Sequence, residues 1–384
     1  MTSGKKIYLD YNATTPVDPR VVEVMLPYFS ERFGNASSDH VFGWEADEAV
    51  ENSRESISKL VNCKASEITF TSGATEAANI ALFGFCKRNR YKGNHIITCK
   101  TEHKAILDTM NALENEGFDI TYLDVDPEGK IDPEELKNSF KSKTILICLM
   151  LANNETGLLH PIAEIQKLAG TSGIKLMCDI TQAVGKIPVD LNRLGIDMAV
   201  FSSHKLYGPK GAGALYISKK NKPEIDPVVF GGGQEKGLRP GTLNVPAIVG
   251  FGKAAEIAFE EMDKEAERVR DLRNEMEELL KEIEDVSINC RDAERLPNTS
   301  NITFRNINGT KLLRKLNKLA VSRGSACSSN TLRPSHVLKA MGLSDEEALS
   351  SLRISLGRNT NEEDIQQAVE EIREAVKNLK AEVV

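Results

Sequence analysis

From about residue 50 to residue 230, short apolar runs alternate with amphipathic stretches, and this alternation constrains the fold more than any other feature. The runs EITF (67–70), HIIT (95–98), ITYLDV (120–125), TILICLML (144–151), KLMCD (175–179), MAVFSS (198–203) and GALYIS (213–218) read as strands. The segments between them, such as HPIAEIQKLAG (160–170), carry apolar residues at helical spacing. Strands alternating with helices build βαβ units, so we expect an α/β fold around a largely parallel, seven-stranded sheet. Helices cover both faces of such a sheet, which explains strands that are apolar throughout.

After GGGQEKGLRPGTLN (231–244) the pattern changes. Residues 245–284 read as one or two long helices with a solvated, charged face. VSINC, SNITFRN and SLRISLG then look like strands of a smaller α+β domain. A last helix begins at NEEDIQQ, with an Asn cap and an acidic first turn. The chain start is expected to pack with this domain. The expected division is a large domain over 14–257 and a small one over 1–13 and 258–384. No tandem repeat or low-complexity segment is present.

Composition narrows the function classes. The chain has 384 residues, 40% hydrophobic and 27% charged, as expected of a globular protein. A net charge of -7 argues against a general nucleic-acid or membrane-surface binder. The longest apolar stretch, TILICLMLA (144–152), is far short of the roughly 20 residues that span a bilayer. The start, MTSGKKIYLD, has no apolar signal core and gives no reason to expect export. The seven cysteines form no CxxC pair, which fits a reducing cytoplasm better than a disulfide framework or a zinc site.

Several strands run directly into polar residues, and in open parallel sheets ligands bind beyond the strands' carboxyl ends. Thr75, His103, Asn154, Asp179, Gln182, Ser202, His204 and Lys205 are therefore expected along one edge. TSGATEAAN (71–79) is a Gly-containing turn opening a helix. Its N–H groups and positive dipole end suit an anion, and Thr75 adds a hydroxyl. Neither GxxxxGK[ST] nor GxGxxG is present, so the expected anion is a single phosphate. A phosphate at a helix start, an aspartate at a strand end and a lysine in the next strand-end loop point to pyridoxal phosphate. The lysine would form a Schiff base, the aspartate would keep the pyridine nitrogen protonated, and a histidine would stack or move protons. Lys205 in FSSHKLYGPKG (201–211) is the favoured lysine and Lys210 its rival. In the second domain, Cys327 lies in a Gly/Ser-rich stretch, VSRGSACSSNTLRPSHVLKAMG (321–342), the setting of a reactive thiol. Arg353 offers a planar fork to a substrate carboxylate, with Arg358 as the alternative.

Together these stretches resemble the NifS/IscS-type cysteine desulfurases, pyridoxal phosphate enzymes of fold type I. The resemblance runs through YLDYNATTP (8–16), FGNASSDHVFG (33–43), FTSGATEAAN (70–79), TEHKA (101–105), NNETG (153–157), DITQAVGKIPVD (179–190), FSSHKLYGPKG, RPGTLN (239–244) and RGSACSS (323–329). It implies that Lys205 is the Schiff-base lysine, Asp179 the pyridinium partner and Gln182 the donor to the ring hydroxyl. It implies a phosphate cradle of Ala74, Thr75, Ser202 and His204, with Thr242 reaching the phosphate of the other subunit of a homodimer. By the same resemblance His103 stacks on the ring and handles protons, Asn154 and Arg353 clamp the substrate carboxylate, and Cys327 is the nucleophile. The implied reaction converts L-cysteine to L-alanine and leaves a persulfide on Cys327. The persulfide passes to an acceptor protein in iron–sulfur assembly, tRNA thiolation or DNA sulfur modification. Two departures bear on that acceptor. The chain ends at Val384, where housekeeping relatives often carry a longer tail, and Arg333 stands where an acidic residue is common. A selenocysteine lyase or aminotransferase is the enzymatic alternative, and a non-catalytic scaffold is the alternative outside enzymes. Cys327 argues against a plain aminotransferase, and intact Lys205, Asp179 and Cys327 argue against a scaffold.

Overall fold

The computed structural model describes residues 5–324 and 333–382. Cys327 lies outside the described residues. The seven expected strands form one sheet. Its order is Ile68–Thr71, Gly213–Ile217, Met198–Ser202, Lys175–Asp179, Thr144–Cys148, His95–Cys99, Asp119–Leu123. Gly213–Ile217 runs antiparallel to both neighbours, and every other pairing is parallel.

Alternation along each strand builds two cores. Ile97, Ile147, Cys178 and Phe201 face one way and pack with Val50 and Ile57 of the helix Val41–Leu60 and with Phe251 and Ala255. Their neighbours Ile96, Leu146, Met177 and Val200 face the other way. They meet Ala77, Ala81 and Phe85 of the helix Ala74–Asn89 and Ile106 and Met110 of the helix Lys104–Asn115. Both faces are thus dry, as apolar strands without polar alternation require.

Val245–Lys281 is a single helix of 37 residues. Its first half packs on the large sheet. Its second half, through Val269, Leu272, Met276 and Leu280, joins a separate core with Ile302, Phe304, Leu352 and Ile354. The expected boundary at 257/258 falls inside this helix. The second core lies on an antiparallel sheet in the order Ser351–Ser355, Thr299–Phe304, Val286–Ile288. The helix Glu362–Ala381 covers it. Asn361 caps that helix in a reciprocal box with Asp364. The chain start joins the same layer: Ile7–Tyr8 runs parallel to Leu319–Ala320, and Ile7 and Leu9 are buried in that core. Among the described residues no helix is long and apolar enough to cross a membrane.

Gly213 shows how the sheet sets the anion turn. It pairs with both Thr71 and Ser202, and a Cβ there would stand 2.5 Å from the Cα of Gly73, the residue that caps the helix Ala74–Asn89. The backbone of the turn therefore lies directly on the strand. Gly213→Val is expected to push the turn away and cost about 1–3 kcal/mol of overpacking, seen as a lower thermal midpoint and weaker phosphate-ligand binding. An unchanged midpoint would contradict this packing.

Candidate active site

Strand ends and the loops after them enclose a cavity of about 480 Å³. It gathers Ala74, Thr75, His103, Asn154, Asp179, Gln182, Ser202, His204, Lys205 and Arg353, all of them expected from the sequence. Thr242 does not line it. This residue is exposed, in a loop beyond Gly241, whose N–H donates to Gln234 Oε1 at 3.0 Å. Lys210, the rival lysine, also lines the cavity but is solvent-exposed. Arg358, the alternative fork, is committed elsewhere, to Asp18 at 2.6 Å and Glu265 at 2.8 Å.

Lys205 ends a short 3₁₀ turn, Ser203–Lys205, that follows the strand Met198–Ser202. Its Nζ donates to the main-chain carbonyls of Asn12 and Ala13 at 2.5 and 2.7 Å. The backbone after it is held tightly. Tyr207 takes a left-handed conformation at φ 64°, uncommon for a residue with a Cβ. Its N–H donates to Thr15 Oγ1 at 2.8 Å, and its hydroxyl donates to Glu265 at 3.1 Å while accepting from the Arg358 N–H at 2.6 Å.

Asp179 is the last residue of its strand and is buried; the Thr181 N–H donates to its Oδ1 at 2.9 Å. His103 caps the helix Lys104–Asn115. Its Nδ1 accepts from the Ala105 N–H at 3.1 Å, so the ring proton sits on Nε2. Arg353 is almost fully buried. It donates from one guanidinium nitrogen to Asp10 Oδ1 at 2.7 Å and from the other to the Asn154 carbonyl at 3.0 Å. Asn154 Oδ1 and Arg353 Nε are buried and have no partner among the described residues. At the anion turn, Glu76 is an acid in the first helical turn. Arg239 of RPGTLN pairs with it at 2.9 Å and compensates its charge.

Sequence reasoning missed Glu102. It is fully buried next to His103, and Oε1 accepts from the Met150 N–H at 2.5 Å while Oε2 has no partner among the described residues. Burial pushes its carboxyl well above the usual range, opposed by the Met150 N–H and reinforced by Asp179. The shift favours the neutral carboxyl of Glu102 beside Asp179. Only its place in TEHK hinted at a role. The described residues flanking the Cys327 segment are tied to the same walls. Ser322 bridges Arg353, Ser335 Oγ donates to Glu155 at 2.5 Å, and the His336 ring contacts the Glu102 carbonyl at 2.9 Å.

The profile of the family Aminotransferase class-V matches residues 7–368. The cysteine desulfurase IscS of Anaeromyxobacter sp. (strain K) is 49% identical over 376 residues, 97% of this chain and 93% of that one. The IscS of Histophilus somni (strain 2336) is 48% identical over 377 residues, with the same two coverages. A solved NifS-like protein superposes with a TM-score of 0.91 at 38% identity, covering 97% of this chain and all of its own. The chain belongs to the class-V aminotransferases, in the IscS/NifS branch. The structure titled SspA in complex with cysteine is similar as well, with a TM-score of 0.82 at 37% identity, covering 91% of this chain and 99% of that one.

Members of this family depend on pyridoxal phosphate, and the residues present fit it. A helix start offers N–H groups without intrahelical acceptors to a phosphate. An aspartate and a lysine face one cavity, and the buried, unpartnered Asn154 Oδ1 and Arg353 Nε await a polar ligand.

His204 provides a pH test. Burial pushes its ring down to about 4, and the charges of Lys205, Lys210 and Lys186 act in the same direction. Its unfolded value is about 6.5, so between about 6.5 and 4 the unfolded state binds the extra proton. His204 therefore lowers stability as pH falls through that window. The urea midpoint should drop from pH 7 to pH 5, and His204→Gln should flatten the drop. An equal drop in the variant would show that His204 is not the group that titrates.

Proposed function

We propose that this chain is a cysteine desulfurase that acts on L-cysteine, releases L-alanine and leaves a persulfide on Cys327. One observation carries the reading: the cavity at the strand ends brings Lys205, Asp179, His103 and Arg353 together beside a helix start built for phosphate. Bound pyridoxal phosphate would supply the electron sink that stabilises charge at the substrate Cα. Ala74, Thr75, Ser202 and His204 would hold its phosphate. His204 would do so as a neutral donor, since its ring is pushed down to about 4. Asp179 would keep the proton on the ring nitrogen, and Gln182 would donate to the ring hydroxyl. Lys205 would hold the cofactor at its aldehyde carbon and would move the proton at the substrate Cα. His103 would stand against the ring and carry a proton on Nε2. Arg353 and Asn154 orient the substrate carboxylate. The Cys327 thiolate attacks the substrate sulfur; the S–S bond forms as the C–S bond breaks, and a proton returns to the carbon. L-cysteine and one thiol thus become L-alanine and one persulfide, with no external oxidant.

The working form in this reading is a homodimer. Phe33, Phe42 and Trp44 are exposed, and the Phe33 and Phe42 rings lie 5.9 Å apart. Gln234, which accepts from Gly241 next to Thr242, also reaches Ser37 at 3.5 Å, so the Thr242 loop is tied to the segment that carries Phe33 and Phe42. Monomers rarely expose such an apolar face, and its closure by a second copy would carry Thr242 to that copy's phosphate. An acceptor protein would approach through a cleft lined by Lys100, Lys104, Arg314, Arg323 and Arg333 beside the ends of the Cys327 segment. The described cysteines are all unpaired, which supports a cytoplasmic setting.

Wild type loaded with pyridoxal phosphate should release alanine from L-cysteine. Lys205→Ala should lose both the visible absorbance of the lysine-bound cofactor and the alanine. Asp179→Ala should slow alanine release by orders of magnitude, because a neutral pyridine is a poor sink. Loaded wild type that makes no alanine, or a Lys205→Ala variant that still does, would refute the assignment. Gel filtration should show a dimer, and an active monomer would remove the role given to Thr242.

A further inference from the structure

Lys186 lies four residues beyond Gln182, behind the cavity wall. Its Nζ donates to Gln182 Oε1 at 2.6 Å and to Asn12 Oδ1 at 3.0 Å. Gln182 Nε2 in turn donates to the main-chain carbonyl of Asn12 at 3.0 Å. A carbonyl can only accept, so the amide cannot be turned round: its NH₂ must face Asn12. Its oxygen must then face Lys186, and an amine that donates to that oxygen holds the orientation in place. Gln182 lines the cavity, and its NH₂ carries a second N–H beyond the one given to Asn12. The same Asn12 carbonyl accepts from Lys205 Nζ, so the amide and the lysine are fixed on one atom.

Lys186 is a costly residue in this place. Burial pushes its ammonium well below the ordinary lysine range, and Lys205 and Arg353 act in the same direction. Among the described residues its hydrogen-bond partners are two amide oxygens and no carboxylate. An apolar side chain of similar length would fill this space without that desolvation cost.

The geometry points to Lys186 as a positioning residue for the cofactor: it locks the Gln182 amide so that an N–H, never the oxygen, is offered to the ring hydroxyl of pyridoxal phosphate. This rests on the role given to Gln182 above. Without Lys186 the amide oxygen loses its donor among the described residues, and the bond to the Asn12 carbonyl alone holds the side chain at the cavity wall.

The test compares wild type, Gln182→Ala, Lys186→Met and the double variant, each stripped of and reloaded with pyridoxal phosphate. The readouts are the cofactor Kd and the position of the visible absorption band. Each single variant should weaken binding by about tenfold, the worth of one hydrogen bond, and move the band the same way. The double variant should be no weaker than Gln182→Ala, because both changes act through one amide. Lys186→Arg keeps N–H donors and should keep the wild-type band. If Gln182→Ala shifts the band but Lys186→Met does not, or if the two losses multiply, Lys186 does not act through Gln182. A shifted band in a Lys186→Arg protein that melts normally also overturns the inference. If Gln182→Ala changes neither readout, the role of Gln182 falls, and this inference with it.

Discussion

Asn12 is the point on which the site is assembled. It is almost fully buried, and each of its polar groups is used. Its N–H donates to Ser355 Oγ at 2.9 Å, and its Nδ2 donates to Thr299 Oγ1 at 2.9 Å and to the Asn154 carbonyl at 3.3 Å. Its Oδ1 accepts from Lys186 and from Asn298 Nδ2 at 3.1 Å, while its carbonyl accepts from Gln182 and Lys205. Ser355 and Thr299 belong to the small sheet, whereas Gln182 and Lys205 follow strands of the large one. One residue, through its main chain and its side chain, thus fixes the two layers at the spacing the cavity needs. A buried polar group left unpaired costs about 1–3 kcal/mol, so the N-terminal segment docks in one register only.

Charge at the site follows from burial. The cavity lining holds three basic side chains, Lys205, Lys210 and Arg353, against two acids, Asp179 and Glu76. Burial pushes the Glu102 carboxyl well above the usual range, and His204 is a neutral donor at ordinary pH because its ring is pushed down to about 4. Cations therefore outnumber charged acids within reach of a ligand. That balance suits a phosphate and a carboxylate bound together, each of which would otherwise lose its hydration at high cost. Glu76 at the phosphate turn would oppose it, and Arg239 offsets that charge.

The sheet was legible because its strands are covered on both faces, which makes them apolar runs between Gly- and polar-rich turns. The strand-end residues were legible for a related reason: a parallel sheet delivers its carboxyl ends to one edge, so Thr75, His103, Asp179 and Lys205 could be placed together. Ends of elements were less clear. TILICLML continues apolar past Cys148, yet the strand stops there, and Leu149 and Leu151 instead bond the carbonyls of Met177 and Asp179 as the chain turns towards Asn154. Glu67 read as part of a strand but turns aside to accept the N–H groups of Lys64 and Lys219. Asn12, Glu102 and Lys186 were missed as site residues. Asn12 lies 170 and 193 positions from Gln182 and Lys205, and no spacing rule connects such residues. Only the assembled fold shows that a lysine and an asparagine set the orientation of a glutamine.

The central claim is that sulfur leaves L-cysteine at this cavity and arrives on one particular thiol. L-cysteine carrying a heavy sulfur isotope, given to the loaded enzyme and followed by peptide mass spectrometry, tests it most directly. The account predicts the heavy sulfur as a persulfide on the peptide containing Cys327, matched by alanine. Alanine formed with the label on another cysteine, or on none, would contradict it.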